Sequence, residues 1–146
     1  MTFRFLLAAA VVAASVTAVV AQQDPIAARK QLMKDNGAQA RVAAAMAKGE
    51  TPFDLAKAKE VFATFENTAA KFGDLFPPNS KEGGETTAAP KIWEDMNGFK
   101  AALAKFGTEA KAANASVKDL ESFRASFGTV SRNCGGCHEV YRVKKS

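Results

Sequence analysis

Three features are scarce in this sequence. It has one histidine and two cysteines among its 146 residues, which leaves any structural zinc site one ligand short. No segment of four or more residues alternates apolar and polar side chains as a half-buried strand would. Basic residues form no stripe, because Lys and Arg alternate with Asp and Glu, and the formal net charge is only +5. These absences argue against a zinc domain, a β fold and nucleic-acid binding.

The first 21 residues predict that the protein is exported. Arg4 precedes sixteen uncharged residues, 5–20, and small residues stand before a cleavage point after Ala21. This pattern is typical of a secretory signal peptide. The alternative is an uncleaved membrane anchor, but the run is shorter than the roughly 18 residues expected of a spanning helix. We therefore expect residues 22–146 to form a single periplasmic domain with no membrane attachment after cleavage.

Apolar side chains spaced three and four residues apart predict four helices. Their expected bounds are about 25–47, 51–72, 90–114 and 116–141. Thr51 and Ser116 are the expected N-caps of the second and fourth helices, and Leu55 is an expected core residue. Residues 73–91 are rich in Gly, Pro and polar residues, so we expect a long link between the second and third helices. Short turns and one long link favour an all-α, antiparallel four-helix bundle.

The fourth helix carries both cysteines and the histidine on its apolar face. Cys134 and Cys137 continue the three-and-four spacing of the apolar residues before them, and His138 follows Cys134 by one turn. All three side chains are therefore expected to point into the bundle. Cys-x-x-Cys-His is the signature of covalent haem attachment, in which two thiols add to the porphyrin vinyl groups and the imidazole binds the iron. The sequence predicts one haem c per chain, attached at Cys134 and Cys137, with His138 as an axial iron ligand.

Three alternatives to haem attachment fit this motif less well. A thioredoxin-like dithiol would need a βαβ context, and a disulfide between neighbouring turns would close a very small loop and stabilise little. Zinc would lack a fourth ligand. Gly135 and Gly136 add a further hint, because each glycine inside a helix costs about 1 kcal/mol relative to alanine. A haem lying against the backbone would hold this turn in place, and the alternative is that the helix kinks here.

The position of the motif resembles the cytochrome c′ family, the class II c-type cytochromes. The motif ends eight residues before the C-terminus with no Met after it, whereas most other c-type cytochromes carry it near the N-terminus and use a downstream Met. The resemblance also covers IAARKQLM in the first helix and GGET before PKIW. It implies an up-down-up-down four-helix bundle with covalently bound haem, and cytochrome c′ is itself a standard example of that architecture.

The resemblance also assigns roles to residues outside the motif. Arg29 matches an arginine near the haem propionates, Met33 the distal-pocket residue and Arg142 an arginine beside the proximal imidazole. Glu85 and Thr86 match polar contacts at the haem edge. The alternatives are an exposed helix charge for Arg29, ordinary core packing for Met33, and for Arg142 a cation that is favourable at a helix C-terminus.

These assignments predict a periplasmic haem protein that is not an enzyme, since no distal acid or base is expected. If Met33 packs over the iron without binding it, the haem is five-coordinate and high-spin. An apolar distal pocket without hydrogen-bond donors would then bind NO and CO in preference to O₂. The alternative is a low-spin electron carrier with Met33 as the sixth ligand. A haem-free helical stress or metal-chaperone protein is a third hypothesis.

Two kinds of partner are expected besides small gas ligands. One is a redox protein whose identity the sequence does not specify. The other is a second copy of this chain, because members of the resembled family commonly form homodimers through the first two helices. Small residues on the first helix, Ala38, Ala43 and Ala47, would permit close approach of two copies.

Overall fold

The computed structural model describes residues 24–144, so the predicted signal peptide, residues 1–21, lies outside the described residues. The described chain forms five α-helices and one short 3-10 turn at Pro78–Ser80. The helices are α1 (Pro25–Lys48), α2 (Leu55–Phe72), α3 (Lys91–Glu94), α4 (Met96–Ser116) and α5 (Leu120–Tyr141). Between residues 24 and 144 there is no strand beyond a single β-bridge. None of the helices in this range is long and apolar enough to cross a membrane.

The four long helices form an antiparallel bundle. On α1 and α2, Asn36 is hydrogen-bonded to Thr68 and Gln39 to Glu60, so residue numbers rise along one helix as they fall along the other. The neighbouring pairs α2 with α4 and α4 with α5 run in the same opposed way. Helix α5 then packs against α1 and closes the ring. The up-down-up-down topology predicted from the sequence is confirmed.

Two helix starts were predicted wrongly. The N-cap of α2 is Asp54 rather than Thr51, since α2 begins at Leu55, and Thr51 lies in the turn after α1, where its N–H donates to the carbonyl of Ala45. The N-cap of α5 is Asp119 rather than Ser116, because Ser116 is the last residue of α4. In both caps a carboxylate accepts from the N–H three residues on. A negative charge at that point also interacts favourably with the helix dipole.

The predicted third helix is split in two. Asp95 interrupts it with φ −134°, and its carboxylate accepts a hydrogen bond of 3.0 Å from the N–H of Gly98, which starts α4 afresh. The end of α4 lies at Ser116, two residues beyond the predicted end at Asn114. The single turn α3 therefore belongs to the end of the long link rather than to the bundle helix.

The core consists of two aromatic clusters stacked along the bundle. The first lies towards the α1–α2 turn and includes Met46, Val61, Phe62, Phe65 and Phe123. The second lies beside the link and includes Phe72, Phe76, Ile92, Phe99 and Leu103. Leu55, predicted as a core residue, is 39% exposed because it lies in the first turn of α2, at the edge of the bundle.

Candidate functional site

A cavity of about 600 Å³ is lined by residues of all five helices and of the link. Cavities of about 300–1,000 Å³ are the usual size of ligand and cofactor sites. Aromatic side chains form much of its wall: Phe65, Phe72, Phe76, Phe99, Phe106 and Tyr141. The wall is thus largely apolar, with polar groups at a few points only, as a flat hydrophobic cofactor requires.

Cys134, Cys137 and His138 of the Cys-x-x-Cys-His motif all line this cavity. Helix α5 runs through Gly135 and Gly136 without interruption, and the alternative that it kinks here stays a prediction. Cys134 and Cys137 are half-buried free thiols, and His138 lines the cavity while part of it stays exposed to solvent. A Cβ added at either glycine would meet nothing within 4 Å. The packing of the chain itself therefore gives no reason for the two glycines.

Burial shifts the pKa values of all three side chains. Burial raises the pKa of the Cys134 thiol, and burial together with the neighbouring Cys134 raises that of Cys137. Burial and then the positive charge of Arg142 lower the pKa of His138, so its imidazole is neutral near pH 7 and offers a lone pair to a metal. Two thiols and a neutral imidazole on one wall of an apolar cavity fit a covalently bound haem.

Helix α1 forms the opposite wall. The Nε of Arg124 donates to the carbonyl of Ala47 at 2.7 Å, which sets the antiparallel register of α1 and α5. Counted along both helices from that bond, Met33 comes within about one turn of the level of His138. Met33 also lines the cavity and packs against the second core cluster. Its side chain is therefore placed across the cavity from the imidazole.

The α1 wall also contains a polar residue that the sequence analysis missed. Asn36, one turn beyond Met33, lines the cavity, and its Oδ1 accepts a hydrogen bond of 2.9 Å from the hydroxyl of Thr68 on α2. The expectation of a distal pocket without hydrogen-bond donors is therefore wrong for this wall. Nothing in the sequence singled Asn36 out, because a polar residue on a helix is usually solvated and its partner is on another helix.

Arg29 is not the exposed helix charge that was the alternative to its predicted role. It is only 4% exposed, and although it lines the cavity its guanidinium holds the link. Nη1 donates to the carbonyl of Leu75 at 3.1 Å and to the hydroxyl of Ser80 at 3.0 Å. Nη2 donates to the carbonyl of Ser80 at 2.7 Å and to the hydroxyl of Thr86 at 2.9 Å. Burial lowers the pKa of Arg29, and the charge of Asp24 partly offsets this.

The link is fixed at its other end by residues that follow the motif. The N–H of Ala89 donates to the carbonyl of Tyr141 at 3.0 Å, and the N–H of Val143 donates to the carbonyl of Thr87 at 2.9 Å. These bonds flank the β-bridge between Ala88 and Arg142. Arg142 is exposed, ends α5 and lines the cavity one turn beyond the histidine.

The two remaining predicted residues lie in different surroundings. Thr86 lines the cavity and binds Arg29. Glu85 has a side chain that is 87% exposed, does not line the cavity, and forms an ion pair of 3.7 Å with Lys30. Its φ of 54° lies in the left-handed region and turns the link at this point.

The sequence analysis also missed Phe76. Its ring lines the cavity, stacks edge-on against Phe99 with 4.9 Å between the ring centroids, and lies under the guanidinium of Arg29 at 4.7 Å. The only available signal was an aromatic residue between Leu75 and two prolines, in a link without periodicity.

Comparison with known proteins gives one consistent match. A family model described as Cytochrome C′ matches residues 24–142. A cytochrome c′ of Rhodopseudomonas palustris is 44% identical over 127 residues, 87% of each chain, and a cytochrome c-556 of Agrobacterium fabrum is 41% identical over 80% of each chain. A solved structure of cytochrome c′ from Rhodopseudomonas palustris superposes with a TM-score of 0.82 at 43% identity, covering 86% of this chain and all of that one. The nitric oxide complex of a mutant of cytochrome c prime from Alcaligenes xylosoxidans superposes with a TM-score of 0.72 at 27% identity, covering 82% of this chain and 94% of that one.

Proposed function

The chain belongs to the cytochrome c′ family of haem electron carriers and carries a covalently attached haem c, and we propose that it is a periplasmic protein whose five-coordinate haem binds NO and CO. One observation carries the proposal. A single apolar cavity has the Cys-x-x-Cys-His motif on the α5 wall and Met33 on the α1 wall opposite.

Each motif residue has one proposed role. Cys134 and Cys137 form the two thioether bonds, and His138 is the axial iron ligand. Support comes from the convergence of the three side chains on one cavity and from the neutral state of the imidazole. When bound, the haem supplies one-electron Fe(III)/Fe(II) chemistry. The chain orients it, and the aromatic walls exclude water from most of its surface.

Residues around the motif are proposed to act at the edge of the haem. Arg29 and Thr86 supply a fixed positive charge and a hydroxyl at the end of the cavity beside the link. Arg142 supplies a positive charge on the proximal side, one turn from the histidine. A contact of Glu85 with the exposed edge of the haem stays a prediction, since its side chain extends into solvent.

The structure also gives a reason to keep the second candidate function. Met33 lines the cavity from α1, the helix that faces His138, and this is the side from which a sixth ligand would come. In the five-coordinate proposal its thioether packs over the open position as part of the second core cluster, and gases enter by displacing it. In the alternative its sulfur binds the iron, and the protein is a low-spin electron carrier closed to gases.

The absorption spectrum of the haem-bearing protein, recorded with and without CO, separates these two functions. We expect the Soret band of the reduced protein to change on adding CO, and Met33→Ala to speed CO binding because it opens the distal face. Leu32→Ala is the matched control, since Leu32 packs against the same cluster without lining the cavity. If CO leaves the Soret band of the wild type unchanged but changes that of Met33→Ala, the protein is the low-spin carrier that is closed to gases. If a denaturing gel stained for haem shows no covalently bound haem on the protein, both functions are contradicted.

We further propose export by the signal peptide, residues 1–21, and a homodimer formed through α1 and α2. Ala43 does not belong to that interface, because it is fully buried inside the chain. Val42 on α1 is 40% exposed and Leu55 on α2 is 39% exposed, and both offer apolar surface to a second copy. Light scattering should give a dimeric mass for the wild type and a monomeric mass for Val42→Glu. A monomeric wild type would contradict the dimer.

A further inference from the structure

The cavity wall opposite the histidine contains one amide side chain, that of Asn36. It lies on the same face of α1 as Met33, three residues further along, and lines the cavity. On the α1 wall near Met33, Gly37 and Ala40 offer no side-chain polar group, and Lys34 is exposed to solvent, whereas Asn36 is partly buried. Its orientation therefore decides what the wall presents to a bound molecule.

The hydroxyl of Thr68 fixes that orientation. Thr68 is fully buried on α2, and its Oγ1 donates to Oδ1 of Asn36 at 2.9 Å. A buried hydroxyl without an acceptor is costly, and Thr68 has no other side-chain hydrogen bond within residues 24–144. An amide whose oxygen faces Thr68 must turn its Nδ2 away from α2.

The Nδ2 of Asn36 has no acceptor among the described residues, so its N–H groups are available to the cavity. The other amide that lines the cavity is already engaged. Asn133 on α5 donates from its own Nδ2 to Glu109 and to the carbonyl of Val130. The Thr86 hydroxyl differs in that it accepts, from Arg29 and from the N–H of Ala88, and these two bonds fix it to the link.

We propose that Asn36 donates a hydrogen bond from Nδ2 to a diatomic ligand bound on the Met33 side, and that Thr68 is the positioning residue that aims it. This inference rests on the proposed gas binding and adds specificity to it. A donor favours ligands that carry negative charge on their outer atom. The pocket therefore holds such ligands longer than a purely apolar pocket would, and it discriminates less strongly against O₂.

The test uses the reduced, haem-bearing protein with CO as the probe, and it reads the C–O stretching frequency by infrared spectroscopy. A hydrogen bond to the outer oxygen increases electron donation from the metal into the C–O antibonding orbital and lowers this frequency. We expect Asn36→Leu to raise the frequency and to speed CO dissociation by about threefold to tenfold. This is the change in rate that corresponds to the net free energy of one hydrogen bond. Thr68→Val should shift the frequency in the same direction by a smaller amount, because the amide of Asn36 keeps its N–H groups and loses only its fixed orientation.

Thr64→Val is the matched control. It makes the same substitution one turn earlier on α2, where the hydroxyl donates to the carbonyl of Glu60 in its own helix. We expect it to leave the C–O frequency unchanged. Frequencies equal in the wild type, Asn36→Leu and Thr68→Val would overturn the role of Asn36 while leaving gas binding intact. A wild-type protein that shows no CO band would overturn the proposed gas binding, and this inference with it.

Discussion

The sharpest stability prediction concerns Arg29, whose guanidinium joins α1 to the link. We consider Arg29→Met, which keeps an unbranched apolar stem and removes all the donors. The substitution removes one hydrogen bond from each of four oxygens. The carbonyls of Leu75 and Ser80 are left without a partner, whereas the hydroxyl of Ser80 keeps its bond to Pro77 and that of Thr86 keeps its bond from Ala88. It also removes the cation that lies 4.7 Å from the ring centroid of Phe76.

The expected loss in the free energy of unfolding depends on whether those oxygens find new hydrogen-bond donors. Each acceptor left unpaired in a buried place costs about 1–3 kcal/mol, and the lost cation–π contact adds about 0.5–1 kcal/mol. Part of this is offset, because a buried cation is itself costly and its lowered pKa reports that cost. Some of the oxygens can also reach water if the link moves. We expect the free energy of unfolding of the haem-bearing protein to fall by about 3 kcal/mol.

Urea unfolding measures that loss, and hydrogen exchange locates it. The amides of Ser80, Thr86 and Ala89, which bond within the link or to the end of α5, should exchange much faster in the variant. Lys30→Met is the control, because Lys30 contacts the same link through Gly84 and Glu85 but is half-exposed. Exposed pairs contribute only about 0–1 kcal/mol. If the two variants unfold within about 0.5 kcal/mol of each other, Arg29 does not hold the link.

Three further predictions concern glycines and thiols. Gly98→Ala should lower the free energy of urea unfolding by about 1–3 kcal/mol, because a Cβ there would overlap the carboxylate of Asp95; an increase would contradict the packing at the start of α4. Gly135→Ala combined with Gly136→Ala should stabilise the haem-free chain by about 1–2 kcal/mol and the haem-bearing chain much less; equal gains in urea unfolding would leave the glycines without a role at the haem. Because burial raises the pKa of both motif thiols, the haem-free chain should react with iodoacetamide more slowly than free cysteine, at a rate that increases with pH. Mass spectrometry should detect no alkylation of the haem-bearing chain, and labelling of either thiol there would contradict thioether attachment.

The bundle could be predicted from sequence because it depends on a repeated local pattern. Apolar residues three and four apart recur along every long helix, and no strand pattern competes with them. Each helix start depends on which of a few neighbouring residues is the N-cap, and the starts were predicted less well. Asp54 and Asp119 cap α2 and α5, whereas Thr51 lies in the turn after α1 and Ser116 is the last residue of α4. The sequence does not reveal where these preceding helices end.

The residues of the candidate site likewise differ in how well they could be predicted from sequence. The motif on α5 could be predicted because all its residues lie within two turns of one helix. Arg29 and Met33 came only from the family resemblance, and the partners of Arg29 at Leu75 and Ser80 lie 46 and 51 residues away, in a link without periodicity. Asn36 looks like an ordinary polar helix residue until a hydroxyl on the next helix fixes its amide. Long-range polar contacts of this kind have no sequence period.

The link compensates for a contact that the cavity prevents. Among neighbouring long helices, α1 and α5 touch each other least, since the cavity keeps their facing walls apart. The link instead ties the two helices together, through Arg29 on α1 and through the backbone bonds to Tyr141 and Val143 after the motif. Because both anchors lie at the end of the cavity that carries Arg142, this end has a fixed width before any haem is attached. The first core cluster fixes the width at the other end. The chain alone therefore sets both ends of this space, and a bound haem would adjust only the distance between the α1 and α5 walls.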